Sequence, residues 1–342
     1  MPTPIAAHPE LDHARDPLRV LTSTLPLTQD ARHVRIVPER ITATAELLAC
    51  QPEAPPDWNA QLHPPGCDDA QRANLVLVLD ALNFCFWSVP GAPRPRWQVT
   101  HGGQTHDGYW ALAAALRRAT EAGRPLADAE YLATLSEAEA AELLAGDPGT
   151  QEIPLLHARL HHLREVGRVL LAKWDGAFLT AIEGARGSAA TLVREVYTSL
   201  TSFHDIAIVN GHTVCFLKRA QILVADLVGA FDGQGPGAFH DLPALTAFAD
   251  YKVPQVLRQF GVLEYAPPLA ERIARHALLP PNSPEELEIR AATIWGVELL
   301  RRALLEHGRD LPSYRLDWAL WQAGQTLPAD AEPYHRTLTV FY

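Results

Sequence analysis

Helical periodicity is the feature that most restricts what this chain can become. Apolar residues recur at intervals of three and four over residues 71–83, 109–121, 153–174, 188–200, 219–231 and 285–306. Stretches of that period hide one stripe of their surface only as α-helices. Two of the expected helices also carry start signals. Ser136 and Glu139 have capping-box spacing, and Ser283-Pro284-Glu285-Glu286 sets a cap residue, an N1 proline and an N3 glutamate in order. Strand signals are few. Trp97 to Tyr109, turning at Gly102-Gly103, reads as a small hairpin, and residues 206–216, turning at Asn210-Gly211, read as a second. The expected architecture is mainly α: a single large helical domain with one or two small β-hairpins and a central ligand cleft. That domain is expected to span 29–342. Residues 1–28, rich in proline and small residues, are expected to be loosely held, and the proline clusters at 54–65 and 90–95 read as loops.

Composition limits the function. The hydrophobic fraction of 47% suits a sizeable core, and 29 basic against 40 acidic residues give a net charge of −11. That balance disfavours a grip on long nucleic acid but allows a pocket for one phosphorylated small molecule. Cys50, Cys67, Cys85 and Cys215 lie far apart with no Cys-x-x-Cys pair, so buried free thiols are expected rather than a zinc site or disulfides. The chain shows no signal-peptide pattern and no apolar run able to cross a bilayer. No membrane, metal or cofactor role is indicated, and a cytoplasmic protein is expected.

Several segments invite a chemical reading. His157 and His161 have zinc-helix spacing, but Ala158 stands where a metalloprotease needs glutamate, so exposed histidines are the better account. Lys218, Arg219 and Gln221 sit where the second hairpin passes into a helix. A solvated helix start is one explanation, and a seat for an anion is the other, since cations oppose the positive end of the helix dipole. In Phe248-Ala249-Asp250-Tyr251-Lys252-Val253-Pro254-Gln255, an acid, a phenol and a cation stand in succession between two apolar stretches. Pro254 marks an interrupted or restarted helix, and Asp250 is either its cap or a catalytic acid. Asp317, Trp318, Trp321 and Gln322 share a helix near the C-terminus. Core packing explains such a group, and so does a platform for a flat heterocycle.

Taken together, Asn83-Phe84-Cys85-Phe86-Trp87, Gly108-Tyr109-Trp110, residues 218–226, the Asp250 segment, and Glu288-Ile289-Arg290 with Trp295 and Glu298 resemble the queuosine salvage protein family of N-glycosylases. The similarity runs in order from about Trp58 to Tyr342, with the first fifty or so residues poorly matched. It implies a helical fold akin to DNA glycosylases. It also implies hydrolysis of queuosine 5′-monophosphate to queuine and ribose 5-phosphate, with no cofactor. By the same resemblance Asp250 is the catalytic acid, and His63, Phe248, Asp317, Trp318 and Gln322 build the pocket. A member of that family has tyrosine where this chain has Trp318 and aspartate where it has Gln322, so relative to that member a hydroxyl and a charge are lost here.

The chemistry fits these residue types. Breaking an N-glycosidic bond builds positive charge on the ribose, which a carboxylate such as Asp250 stabilises. Covalent attack and water activation both stay open. Asp317 is expected to accept from the base's N1–H and amino group. Phe248 and Trp318 can sandwich the ring, and His63 can contact the cyclopentenediol or the pyrimidine edge. Lys218, Arg219 and Lys252 are candidates for the 5′-phosphate. Two other classes compete: a non-catalytic module binding modified nucleosides or tRNA, and a DNA-repair glycosylase. The acidic balance and the lack of a clustered basic stretch disfavour both.

Overall fold

A computed structural model of the chain describes residues 15–50, 58–59, 61–87, 92–328 and 330–342. In chain order these form α1 (Val20–Gln29), β1 (Val34–Ile36), α2 (Pro38–Ala49), α3 (Asp69–Ala81), β2 (Gln98–His101), β3 (Gln104–Asp107), α4 (Gly108–Glu121), α5 (Ala129–Thr134), α6 (Glu137–Leu143), α7 (Leu156–Lys173), α8 (Leu179–Gly184) and α9 (Ala189–Ser199). There follow β4 (Ile206–Val209), β5 (His212–Cys215), α10 (Lys218–Ala230), α11 (Lys252–Gln259), β6 (Leu263–Tyr265), α12 (Pro267–Ala274), α13 (Pro284–Glu306) and α14 (Ser313–Ala323). The protein is mainly α, as its periodicity demands. The capping box at Ser136 and Glu139 forms, and Ser283 accepts the Glu286 N–H at the start of α13.

Both expected hairpins are present, β2–β3 closing at His101↔Gln104 and β4–β5 at Val209↔His212. Their turn residues all have positive φ: Gly102 at 59°, Gly103 at 80°, Asn210 at 50° and Gly211 at 78°. That left-handed pair is what a type I′ turn requires. A third pairing, β1 with β6, joins Val34 to Tyr265 and Ile36 to Leu263. No turn links strands so far apart in sequence, so no local pattern announced it.

The chain divides into two compact units. One gathers the described residues of 1–56, 205–221 and 241–338, and the other those of 57–204, 222–240 and 339–342. The first is built around α13, against which α1, α2, α11 and α14 pack. This helix is buried nearly all round from Glu286 to Glu298, and the buried polar residues of that stretch are paired. Glu288 accepts the N–H groups of Arg32, His33 and Val34 at 2.6–3.1 Å, and Trp295 Nε1 donates to Thr24 Oγ1 at 3.2 Å. Glu298 accepts from Arg301, Arg302 and Ser313. Such pairing is what makes buried charge tolerable.

Residues 20–28, at the end of the N-terminal segment, belong to α1, with Val20 and Thr24 fully buried. Its apolar face is short, and Pro26 within it hides the helix from a pattern search. In the second unit α5 packs on α7, where a Cβ at Gly167 would lie 2.3 Å from the Ala133 nitrogen. Only a glycine permits that approach. The proline stretches at 54–65 and 90–95 fall partly outside the described residues, and their described parts carry no helix or strand. Of the cysteines only Cys85 is buried; Cys50 and Cys67 are exposed and Cys215 is half-buried, against the expectation of buried thiols. Among the described residues no helix is long and apolar enough to cross a membrane.

Candidate functional site

The Asp250 segment breaks a general rule, because non-helical backbone is normally at the surface. Residues 244–250 are all buried, and from Leu245 to Asp250 they belong to neither helix nor strand. Their backbone groups therefore need partners from elsewhere. Gln221 Oε1 accepts the Thr246 N–H at 2.9 Å, Asp317 Oδ1 accepts the Phe248 N–H at 2.9 Å, and Arg290 Nε donates to the Ala249 carbonyl at 3.3 Å. Three side chains from α10, α14 and α13 thus hold the strap that carries Phe248 and Asp250.

Arg290 is itself held. Its two terminal nitrogens donate to both oxygens of Asp205 at 2.9 and 2.6 Å, and its guanidinium lies 3.9 Å from the centre of the Phe216 ring. Asp205 also accepts the Lys218 N–H at 3.1 Å, and its carbonyl accepts from Phe216 and Leu217. The hairpin-to-helix junction is consequently not a solvated helix start. Lys218, Arg219 and Gln221 are 6%, 1% and 0% exposed.

Asp250 Oδ1 accepts the backbone N–H groups of Lys252 and Val253, each at 2.8 Å, and so caps α11. Pro254 stands in the first turn of that helix, where its missing N–H costs nothing. The two readings of Asp250 are therefore compatible. One oxygen is fixed by the helix start, and the other accepts no hydrogen bond from the described residues. Burial pushes the carboxyl above its ordinary range, against Lys218, the two amide donors and Lys252. Asp317 is driven well above that range by burial and then by the charge of Asp250, with the Phe248 N–H and Lys218 pulling the other way.

The first unit thus brings Phe248, Asp250, Asp317 and Lys218 into one buried cluster. Trp318 and Gln322 follow on α14 as half-buried i, i+4 neighbours. Lys252 is half-buried, and its ammonium donates to the Gly324 carbonyl at 2.9 Å. Arg219, enclosed and held by protein contacts, is the poorest candidate for a ligand anion.

His63 belongs to the second unit. It stacks on Trp58 with ring centres 3.8 Å apart and planes 12° apart. Its Nδ1 lies 2.8 Å from the Asn59 carbonyl and its Nε2 2.8 Å from the Tyr109 hydroxyl, which also reaches Asp226 Oδ2 at 3.2 Å. A carbonyl only accepts, so Nδ1 carries the proton of the neutral ring. Burial holds the imidazole pKa down at about 4. Trp58, Tyr109 and Asp226 had no role assigned from sequence, although Tyr109 and Asp226 stood within the motifs that carried the resemblance. His157 is exposed, paired loosely with Glu137 at 3.4 Å, and His161 is exposed too.

The fold and the site define a mainly α protein that holds two buried carboxylates and a buried lysine beside a strapped aromatic. The model of the queuosine salvage protein family matches residues 62–342. The chain is 52% identical over 96% of its length to a Sphaerobacter thermophilus protein named queuosine 5′-phosphate N-glycosylase/hydrolase, covering 98% of that protein. Proteins of the same name from Bos taurus and Mus musculus are 36% and 34% identical, covering 92% and 95% of this chain and 96% and 99% of theirs. The chain belongs to the queuosine salvage protein family. Similarity to the bacterial relative extends into the first fifty residues, further than the motifs alone had indicated.

Proposed function

We propose that the chain hydrolyses the N-glycosidic bond of queuosine 5′-monophosphate, releasing queuine and ribose 5-phosphate. The observation that carries this reading is the state of Asp250: buried, one oxygen locked into the start of α11, the other without a hydrogen bond from the described residues. A fixed carboxylate of this kind stabilises the positive charge that develops on ribose, and its orientation needs no rearrangement during reaction. Lys218, buried beside both carboxylates, and half-buried Lys252 are the candidates for the 5′-phosphate. Phe248 and Trp318 offer faces for the base, and Asp317 and Gln322 offer polar contacts.

The substrate is a free nucleotide in the cytoplasm, and no stable nucleic-acid complex is part of the reading. The net charge of −11 supports that half of it. Tight tRNA binding at physiological salt would contradict it.

The decisive experiment is incubation with queuosine 5′-monophosphate, with free queuine followed by mass spectrometry. Asp250→Asn should lower turnover by about 10²–10³-fold, in line with removal of a principal electrostatic group. Near-wild-type release by that variant would remove Asp250 from catalysis.

A further inference from the structure

The two buried carboxylates differ in what supports a negative charge on each. Asp250 caps α11 and receives two amide N–H groups at 2.8 Å, with the positive end of that helix behind them. Asp317 lies one turn into α14, caps no helix, and receives one N–H, from Phe248, at 2.9 Å. The charged groups acting on Asp317 are Asp250, in the strap before α11, and Lys218, in the first turn of α10. Lys218 acts on both enclosed carboxylates and Lys252 on Asp250 alone, so Asp317 is the less compensated of the two. Like charges that act on one another in a buried site are relieved by a proton on one of them. When two acids share a site in unequal surroundings, the less supported one holds the proton.

We propose that Asp317 is the protonated member of the pair and donates that proton to the departing base, while Asp250 stays ionised opposite the ribose. This rests on the glycosidic reading above and changes one expectation of the sequence: Asp317 acts as a donor, not as an acceptor for N1–H and the amino group. The bond from ribose C1′ to the base nitrogen breaks, and its electron pair goes to the base. The Asp317 proton joins the base at an acceptor atom of the ring, leaving it neutral. Water adds through its oxygen to C1′, and the proton it loses restores Asp317. A 7-deazaguanine has carbon at position 7 and cannot take its proton there, so an acid placed on another edge of the ring answers a need of this leaving group. A heavier burden on the acid is then expected than for an activated leaving group.

The test has two parts. In the free protein labelled with γ-13C aspartate, the signal lost in Asp317→Asn identifies the Asp317 carboxyl. It should keep the shift of a neutral acid at pH 7; ionisation complete by pH 5 would overturn the proposal without touching the glycosidic reading. In the second part, Asp317→Asn keeps an oxygen for the Phe248 N–H but has no acidic proton. It should slow release of queuine by about 10²–10⁴-fold, and slow 4-nitrophenyl ribofuranoside 5-phosphate, whose leaving group needs no proton, by less than about tenfold. Equal losses on both substrates would overturn the acid role. A wild-type chain that cleaves neither would overturn the glycosidic reading and the transfer together, with the carbon titration still deciding where the proton sits.

Discussion

At the scale of single residues, structure and chemistry can be separated by choosing the replacement. Asparagine at position 250 retains the oxygen that caps α11, so Asp250→Asn should unfold at nearly the wild-type urea concentration while losing activity. Asp250→Ala removes the cap as well and should cost about 0.5–2 kcal/mol of stability. Equal destabilisation by both variants would mean that charge, not capping, supports α11. The Tyr109 hydroxyl has one proton and two acceptors, His63 Nε2 at 2.8 Å and Asp226 Oδ2 at 3.2 Å. Tyr109→Phe deprives the Nε2 of a 2%-exposed imidazole of its partner, and a loss of about 1–3 kcal/mol is expected. Urea denaturation checks it, and an unchanged midpoint would show that His63 finds another partner.

The elements show why some of the site was legible in sequence and some was not. Period and caps announced α3, α4, α7, α9, α10 and α13, and paired turn residues announced the hairpins, because those signals lie within a dozen residues. The strap from Leu245 to Asp250 reads locally as an apolar run before a proline. What makes it a site is the set of groups that hold it. Gln221, Arg290 and Asp317 lie 25, 41 and 69 residues away from the groups they bond, and Asp205 pairs with Arg290 across 85 residues. Neither hydrophobic period nor turn chemistry carries information over such separations. Arg290 and Glu288 were visible as motif members, yet nothing local distinguished Arg290, which supports the strap, from Glu288, which ties down β1. Truncating one partner of the buried pair leaves the other charge uncompensated, so Arg290→Met should cost about 3–5 kcal/mol. Because Arg290 also holds the Ala249 carbonyl, activity per folded molecule should fall with it. Full activity in the folded fraction would show that the strap keeps its shape without Arg290.

For the molecule as a whole, buried titratable groups set opposing pH dependences. Burial holds His335 at about 3 and His63 at about 4, with the charges of Arg290 and Arg258 adding to the effect at His335. An unfolded histidine titrates near about 6.5, so both contribute fully above that pH. As pH falls below it, the unfolded chain takes up two protons that the folded chain refuses. Stability then drops by up to about 2.7 kcal/mol per pH unit, until pH passes through the folded values. Asp317 and Asp250 act with the opposite sign. Their folded carboxyls are raised, so above about pH 4 the folded chain retains protons that the unfolded chain has released, and stability falls as pH rises toward their folded values. Acid therefore removes a penalty at the carboxylates while imposing one at the histidines. Asp317→Asn isolates the first effect, since it keeps the hydrogen bond to Phe248 and deletes the titration. The variant should be more stable than wild type at pH 8, and the gap should narrow at pH 4.5, where Asp317 costs little to keep protonated. Urea denaturation at the two pH values measures it. A gap that stays constant would mean that Asp317 titrates alike in the folded and unfolded chain. A gap that closes in acid would show the molecule giving up stability at neutral pH to keep a reactive carboxyl in its core, the exchange expected of a working active site.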